Sequence, residues 1–118
     1  MITDVTKVQG IVRSMQPGNV IILISGQEVE QPGLAVEYDC ALTTAYMYLA
    51  AQSLGLGAHI YMGPVQSINT TMRDTLQIPE GYRVIAVLQI GTLASDVDAT
   101  TSASPRKSMD ELVNYVTE

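Results

Sequence analysis

The sequence has little positive charge, one cysteine, one histidine and no long hydrophobic run. Its six lysines and arginines are scattered and outnumbered by twelve carboxylates, and the net charge of −6 argues against general nucleic-acid binding. The single cysteine, Cys40, excludes an internal disulfide framework and any CxxC motif, and suits a reducing cytoplasm. No apolar run approaches the roughly 20 residues of a membrane span, and no export signal is recognisable. We therefore expect a cytoplasmic protein with no nucleic-acid and no membrane partner.

Metal and acid–base chemistry have no candidate residues. His59 lies in an apolar strand with no second histidine, so we expect a hydrogen-bonded core residue and not a metal ligand or base. The carboxylates lack the paired spacing of a hydrolase, and Cys40 is expected to pack in the interior. The sequence therefore predicts no metal site and no catalytic side chain.

Apolar runs predict the strands of one domain covering residues 1–118. Residues 19–25 (NVIILIS) and 82–90 (YRVIAVLQI) are continuous aliphatic runs, typical of strands covered on both faces. A shorter strand is predicted from Ala58 to Met62. Because helices separate the strands and parallel neighbours need a helical crossover, we expect at least some parallel pairing.

Helical spacing predicts the segments between the strands. The helix predicted over residues 34–54 is apolar almost all round. We therefore expect it to be buried, either at the centre of the domain or at a subunit interface. Residues 92–105 are expected to form a long loop or extended arm that is functional or wraps a partner. The predicted helices span residues 2–16, residues 34–54, a segment that opens at Asn69 and closes before Pro79, and a short segment through Val113 that begins with the capping box of Ser108 and Glu111.

The stretch from Leu54 to Pro64 predicts a ligand site built from main chain. A glycine can take the left-handed conformation at a helix end, and Gly63 has no side chain to keep a ring system away from the peptide N–H groups. The simpler alternatives are a helix C-cap at Gly55 and an ordinary Gly-Pro turn. A dinucleotide fingerprint is excluded because Ile60 occupies its third glycine position.

Arg106 and Lys107 are the only adjacent cations in the sequence. They precede a predicted helix start, where an anion can bind. The simpler alternative is a solvated pair.

Four stretches, taken in order, resemble the C-terminal half of the nitroreductase family of FMN-dependent oxidoreductases: DCALTTAYMYLAAQSLGLG, HIYMGPV, LQIPEGYRVIAVLQIG and ASPRKSMDELV. The resemblance covers roughly residues 17–115. It implies an α+β fold with a mixed sheet flanked by helices, and a homodimer with FMN at the subunit interface. It also implies ping-pong transfer of hydride from NAD(P)H to a small electron acceptor such as a nitroaromatic or a quinone. Because the flavin carries the redox chemistry, no acid–base pair is needed.

The resemblance places the cofactor on two parts of this sequence. The family's strand-end motif supplies backbone N–H groups to the flavin N5 and O4 region, and here it falls on Met62 and Gly63. The C-terminal basic residues that help to hold the FMN phosphate fall on Arg106 and Lys107. The expected cofactor-binding residues are therefore Tyr61, Met62, Gly63, Pro64, Arg106 and Lys107.

Two departures from the family pattern leave an alternative open. The family's N-terminal arginine- and serine-containing motif precedes the strand by many tens of residues, whereas only 18 residues precede Asn19, so we expect a fold truncated at the N-terminus. Arg13-Ser14 does not match that motif in position, and Ala45-Tyr46 stands where many relatives have Gln-Asn. The alternatives to an enzyme are a truncated or degenerate non-catalytic relative acting as an assembly or binding module, and a fragment whose partner segment lies on another polypeptide.

Overall fold

The computed structural model describes residues 16–31, 33, 35–95 and 105–118. The predicted strands and the predicted long helix all form there, each end within two residues of its predicted position. The predicted helix over residues 2–16 and most of the predicted loop over residues 92–105 lie outside the described residues. The elements are, in chain order, β1 (Val20–Gln27), α1 (Val36–Ser53), β2 (Gly57–Tyr61), α2 (Val65–Thr71), β3 (Tyr82–Gly91) and α3 (Met109–Leu112).

The three described strands form one sheet in the order β1-β3-β2. Both pairs are antiparallel, so the expected parallel pairing is wrong. The reason is that α1 does cross between two strands of the same direction, β1 and β2, but β3 lies between them and pairs with both.

Burial differs between the central and the outer strand. In β3 every residue from Val84 to Gln89 is buried, as predicted for a strand covered on both faces. In β1 only Ile24 is buried, and Val20 is 54% exposed. The expectation that β1 is covered on both faces is therefore wrong, because an aliphatic run does not distinguish a central strand from one that has a single neighbour in the described sheet.

The helices α1 and α2 cover opposite faces of the sheet. On one face Cys40 of α1 packs with Ile24, Leu88 and their neighbours. On the other face Ile68 of α2 is completely buried with Val84 and Val87. The result is a three-layer arrangement with β3 at its centre.

The contact between α1 and β1 is tight. A Cβ atom at Gly26 would lie 2.3 Å from Cγ2 of Val36 and 2.9 Å from Sγ of Cys40. Cys40 is 6% exposed, and this burial raises the pKa of its thiol, which disfavours the reactive thiolate. The expectation that Cys40 packs in the interior is confirmed.

The outward face of α1 is an exposed apolar stripe, defined by Tyr38, Leu42, Tyr46 and Leu49. These side chains are 58 to 74% exposed. The expectation that α1 lies at the centre of the domain is therefore wrong, because among the described residues the sheet covers one side of the helix and leaves the other exposed. Burial at a subunit interface stays a prediction. None of the described helices is long and apolar enough to cross a membrane.

Both ends of α2 differ from the prediction of a helix that opens at Asn69 and closes before Pro79, because the helix has already ended at Thr71. The helix begins at Val65, directly after the buried Pro64, and Asn69 lies within it. Proline suits the first turn of a helix because its missing N–H has no helical partner there. The Asn69 side chain instead donates from Nδ2 to the carbonyl of Val84 at 2.8 Å and accepts from the Val84 N–H at 2.9 Å. The Asn69 side chain, which was predicted to cap the start of this helix, therefore bonds the backbone of β3 instead.

Stability is expected to fall in acid as the Glu37 ion pair is lost. Arg83 on β3 donates one hydrogen bond to Glu37 at the start of α1 and another to Glu28 after β1. The bond from Arg83 lowers the pKa of Glu37 below its ordinary 4.5. The pKa of Glu37 is lower in the folded than in the unfolded protein. The ion pair therefore stabilises the folded state fully above the unfolded-state pKa, and this contribution disappears as the pH falls through the folded-state pKa. All three side chains are at least one-third exposed, so we expect a modest effect.

Urea unfolding of Arg83→Met and of the wild type, from neutral pH into acid, measures this contribution. The variant should lose less stability than the wild type below pH 4.5. Arg73→Met is the matched control, because Arg73 donates to the Pro79 carbonyl and not to a carboxylate. Identical acid profiles for Arg83→Met and the wild type would contradict the prediction.

Candidate cofactor site

The chain reverses between α1 and β2 through a glycine in the left-handed region. Gly55 has a φ of +75°, and its N–H bonds the Gln52 carbonyl at 3.0 Å. The Leu56 N–H bonds the Ala51 carbonyl at 2.9 Å. These two bonds form a Schellman motif, which confirms the helix C-cap predicted from the glycine spacing.

The connection from β2 to α2 brings four of the predicted cofactor residues together. Tyr61 is the last residue of β2 and is partly buried, whereas Met62 is 59% exposed and Gly63 is exposed. Pro64 is completely buried, and the Val65 N–H closes the turn on the Met62 carbonyl at 3.2 Å. The partly buried Tyr61 and the buried Pro64 thus flank an exposed turn at Met62 and Gly63.

A chain of polar side chains crosses the sheet beside this turn. The Tyr61 hydroxyl donates to Oε1 of Gln89 on β3 at 2.9 Å. Nε2 of Gln89 donates to Oδ1 of Asn19 at 2.8 Å, and Asn19 Oδ1 also accepts the Gln16 N–H at 3.0 Å. We call Asn19, Gln89 and Tyr61 the polar relay. It joins the segment before β1 to the end of β2 through the central strand.

A cavity of about 510 Å³ lies over this part of the sheet. The His59 ring contacts the Tyr61 ring with centroids 4.3 Å apart and a tilt of 51°. His59 is exposed, so the expectation of a core histidine is wrong: it lies on a strand at the edge of the described sheet. Residues lining the cavity include Asn19, His59, Tyr61, Gln89, Gly91 and Leu93.

Arg106 and Lys107 lie directly before α3 and are exposed. The predicted capping box forms next to them, where Ser108 donates its backbone N–H and its hydroxyl to the Glu111 carboxylate, each at 3.0 Å. The backbone bond is the main cause of a lowered pKa at Glu111. Within the part of the chain that the structure describes, no hydrogen bond or ion pair joins the basic pair to the turn at Met62 and Gly63.

The described residues fit an FMN group in their chemistry. An exposed main-chain turn offers N–H donors of the kind that a flavin N5 and O4 edge accepts, and an arginine beside a lysine suits a phosphate. The sequence prediction did not include Gln89 or Asn19 as site residues. A signal for Gln89 was present, because a glutamine in an otherwise apolar buried strand must find hydrogen-bond partners.

No protein-family model matches this sequence, and no curated protein matches it. Solved structures do match the fold. A nitroreductase family protein from Clostridium difficile 630 aligns with a TM-score of 0.69 and 20% identity, over 99% of this chain and 68% of its own.

A nitroreductase with bound FMN from Bacteroides fragilis NCTC 9343 aligns with a TM-score of 0.62 and 18% identity, over 82% of this chain and 50% of its own. A nitroreductase family protein from Streptococcus pneumoniae TIGR4 aligns with a TM-score of 0.56 and 20% identity, over 69% of this chain and 37% of its own. This chain thus spans half or less of the length of these two proteins. It has part of the nitroreductase fold.

Proposed function

We propose that this chain is an FMN-dependent oxidoreductase of nitroreductase type. It moves hydride from NAD(P)H to nitroaromatic or quinone-like acceptors in the cytoplasm, working as a homodimer. The observation that carries this proposal is the exposed turn at Met62 and Gly63, presented at a strand end within a nitroreductase-like fold. A nitroreductase of the same fold has FMN bound, which supports a flavin as the cofactor.

The chain's own groups have separate roles in this proposal. The N–H groups of Met62 and Gly63 bind the N5 and O4 side of the flavin, and Arg106 with Lys107 binds the phosphate. Bound FMN supplies the hydride chemistry. The protein orients the cofactor and needs no acid–base side chain.

The exposed stripe on α1 supports the homodimer. Leu42 and Leu49 are 58% and 62% exposed, and they alternate along the helix with Tyr38 and Tyr46, which are 74% and 70% exposed. An apolar surface of this kind on one helix face is typical of an interaction site. A second copy of the chain, packed helix against helix, covers it.

Titration of the purified protein with FMN tests the proposal. The wild type should turn yellow, and NADH or NADPH should bleach the flavin before a quinone such as menadione restores its colour. Arg106→Ala with Lys107→Ala should weaken FMN binding roughly 10- to 100-fold, because charge-assisted hydrogen bonds to the phosphate are lost.

The matched control exchanges the two residues, Arg106→Lys with Lys107→Arg, and keeps both charges. It should retain most of the affinity. A protein that stays colourless with excess FMN would overturn the flavin assignment and favour the non-catalytic alternative.

A further inference from the structure

Gln89 is a buried amide at the centre of the polar relay. It is 8% exposed, within a run of buried residues on β3. A buried amide is costly unless it is hydrogen-bonded, so its bonds to Tyr61 and Asn19 hold all three side chains in one arrangement. The Tyr61 ring is thereby held at its hydroxyl by Gln89, and the tilted His59 ring lies against it.

Tyr61 is also the last point at which β2 is paired. In the described sheet the register of β2 with β3 ends at Tyr61 and Val87. The position of the following turn therefore depends on Tyr61 at one end and on the buried Pro64 at the other. Tyr61 and Met62 share a peptide group, so the backbone position of Tyr61 sets where the turn begins.

We infer that Gln89 is a positioning residue: anchored by Asn19, its amide holds the Tyr61 hydroxyl and so orients the N–H groups of Met62 and Gly63. The part of this inference that concerns the flavin rests on the proposed function, which assigns the N–H groups of Met62 and Gly63 to the flavin N5 and O4. The order of the turn itself does not depend on FMN.

Backbone ¹⁵N relaxation of the cofactor-free protein tests the order of the turn. In the wild type the order parameters of Met62 and Gly63 should be close to those of a rigid backbone, about 0.85. Gln89→Leu and Tyr61→Phe should lower both toward about 0.6, while those of Val87 in the core stay unchanged. Tyr61→Phe removes only a hydroxyl, so it tests the inference even if Gln89→Leu does not fold.

FMN affinity and flavin midpoint potential test the link to the cofactor. Tyr61→Phe should weaken FMN binding about tenfold, the equivalent of one hydrogen bond, and shift the potential. Tyr82→Phe is the matched control at the opposite end of β3, and should change neither quantity.

The outcomes separate the two proposals. Unchanged order parameters at Met62 and Gly63 in both variants would overturn the inference, whether or not FMN binds. Lowered order parameters in a protein that binds no FMN would leave the positioning role intact and remove the proposed function. Lowered order parameters with unchanged FMN affinity and potential would overturn the flavin part of the inference.

Discussion

Replacing Leu42 and Leu49 together with glutamate is expected to leave a folded monomer where the wild-type protein forms a dimer. Both side chains lie on the exposed stripe of α1. In the proposed dimer each copy would bury two carboxylates against apolar partners, and an unpaired buried carboxylate costs several kcal/mol. Association should therefore weaken by about 1000-fold or more.

Sedimentation or light scattering over a range of protein concentrations measures the change. The single chain should keep its helix content by circular dichroism, since neither side chain packs in the described core. Leu112→Glu with Val116→Glu is the matched control, because these residues are also exposed but lie at and beyond α3. A wild type that stays monomeric at every concentration would overturn the homodimer.

Asn69→Ala is expected to lower the free energy of unfolding by about 2–6 kcal/mol. The Asn69 amide bonds both the N–H and the carbonyl of Val84, a completely buried residue of β3. A neighbouring strand would bond the N–H and the carbonyl of Val84 in the same way. However, β2 pairs with β3 only from Val87 onward, so the Asn69 amide takes the place of a strand here. Removing the amide leaves two backbone groups without their partner, at about 1–3 kcal/mol each.

Urea or guanidinium unfolding at neutral pH measures the loss. Asn69→Asp should have a smaller effect, because a carboxylate still accepts from the Val84 N–H but cannot donate to the carbonyl. Thr70→Ala is the neighbouring control, since the Thr70 hydroxyl is exposed and bonds only carbonyls within its own helix. A loss below about 0.5 kcal/mol for Asn69→Ala would show that water replaces the amide.

Local patterns were enough to predict the three strands, the long helix and the start of α3. The aliphatic run of β3, the Gly55 helix end and the capping box of Ser108 and Glu111 all involve residues close together in sequence, and all are confirmed. The start of α2 was wrong because two signals competed: Pro64 begins the helix, and the amide of Asn69 is used elsewhere.

The candidate site divides in the same way. Tyr61 to Pro64 are contiguous in the sequence, so the motif alone brought them together. Gln89 is 28 residues from Tyr61 and 70 from Asn19, and only the strand order β1-β3-β2 brings the three into contact. The position of the basic pair relative to the turn stays a prediction.

The sequence by itself determined the three described strands and where the long helix stops, because propensity, capping and turn geometry act within a few residues. Only the tertiary structure decided the neighbours of each strand, the face of α1 left exposed and the partners of the buried amides. Those outcomes depend on contacts between segments that are distant in the sequence. An apolar side chain or an amide has no preferred partner among them until the sheet has formed.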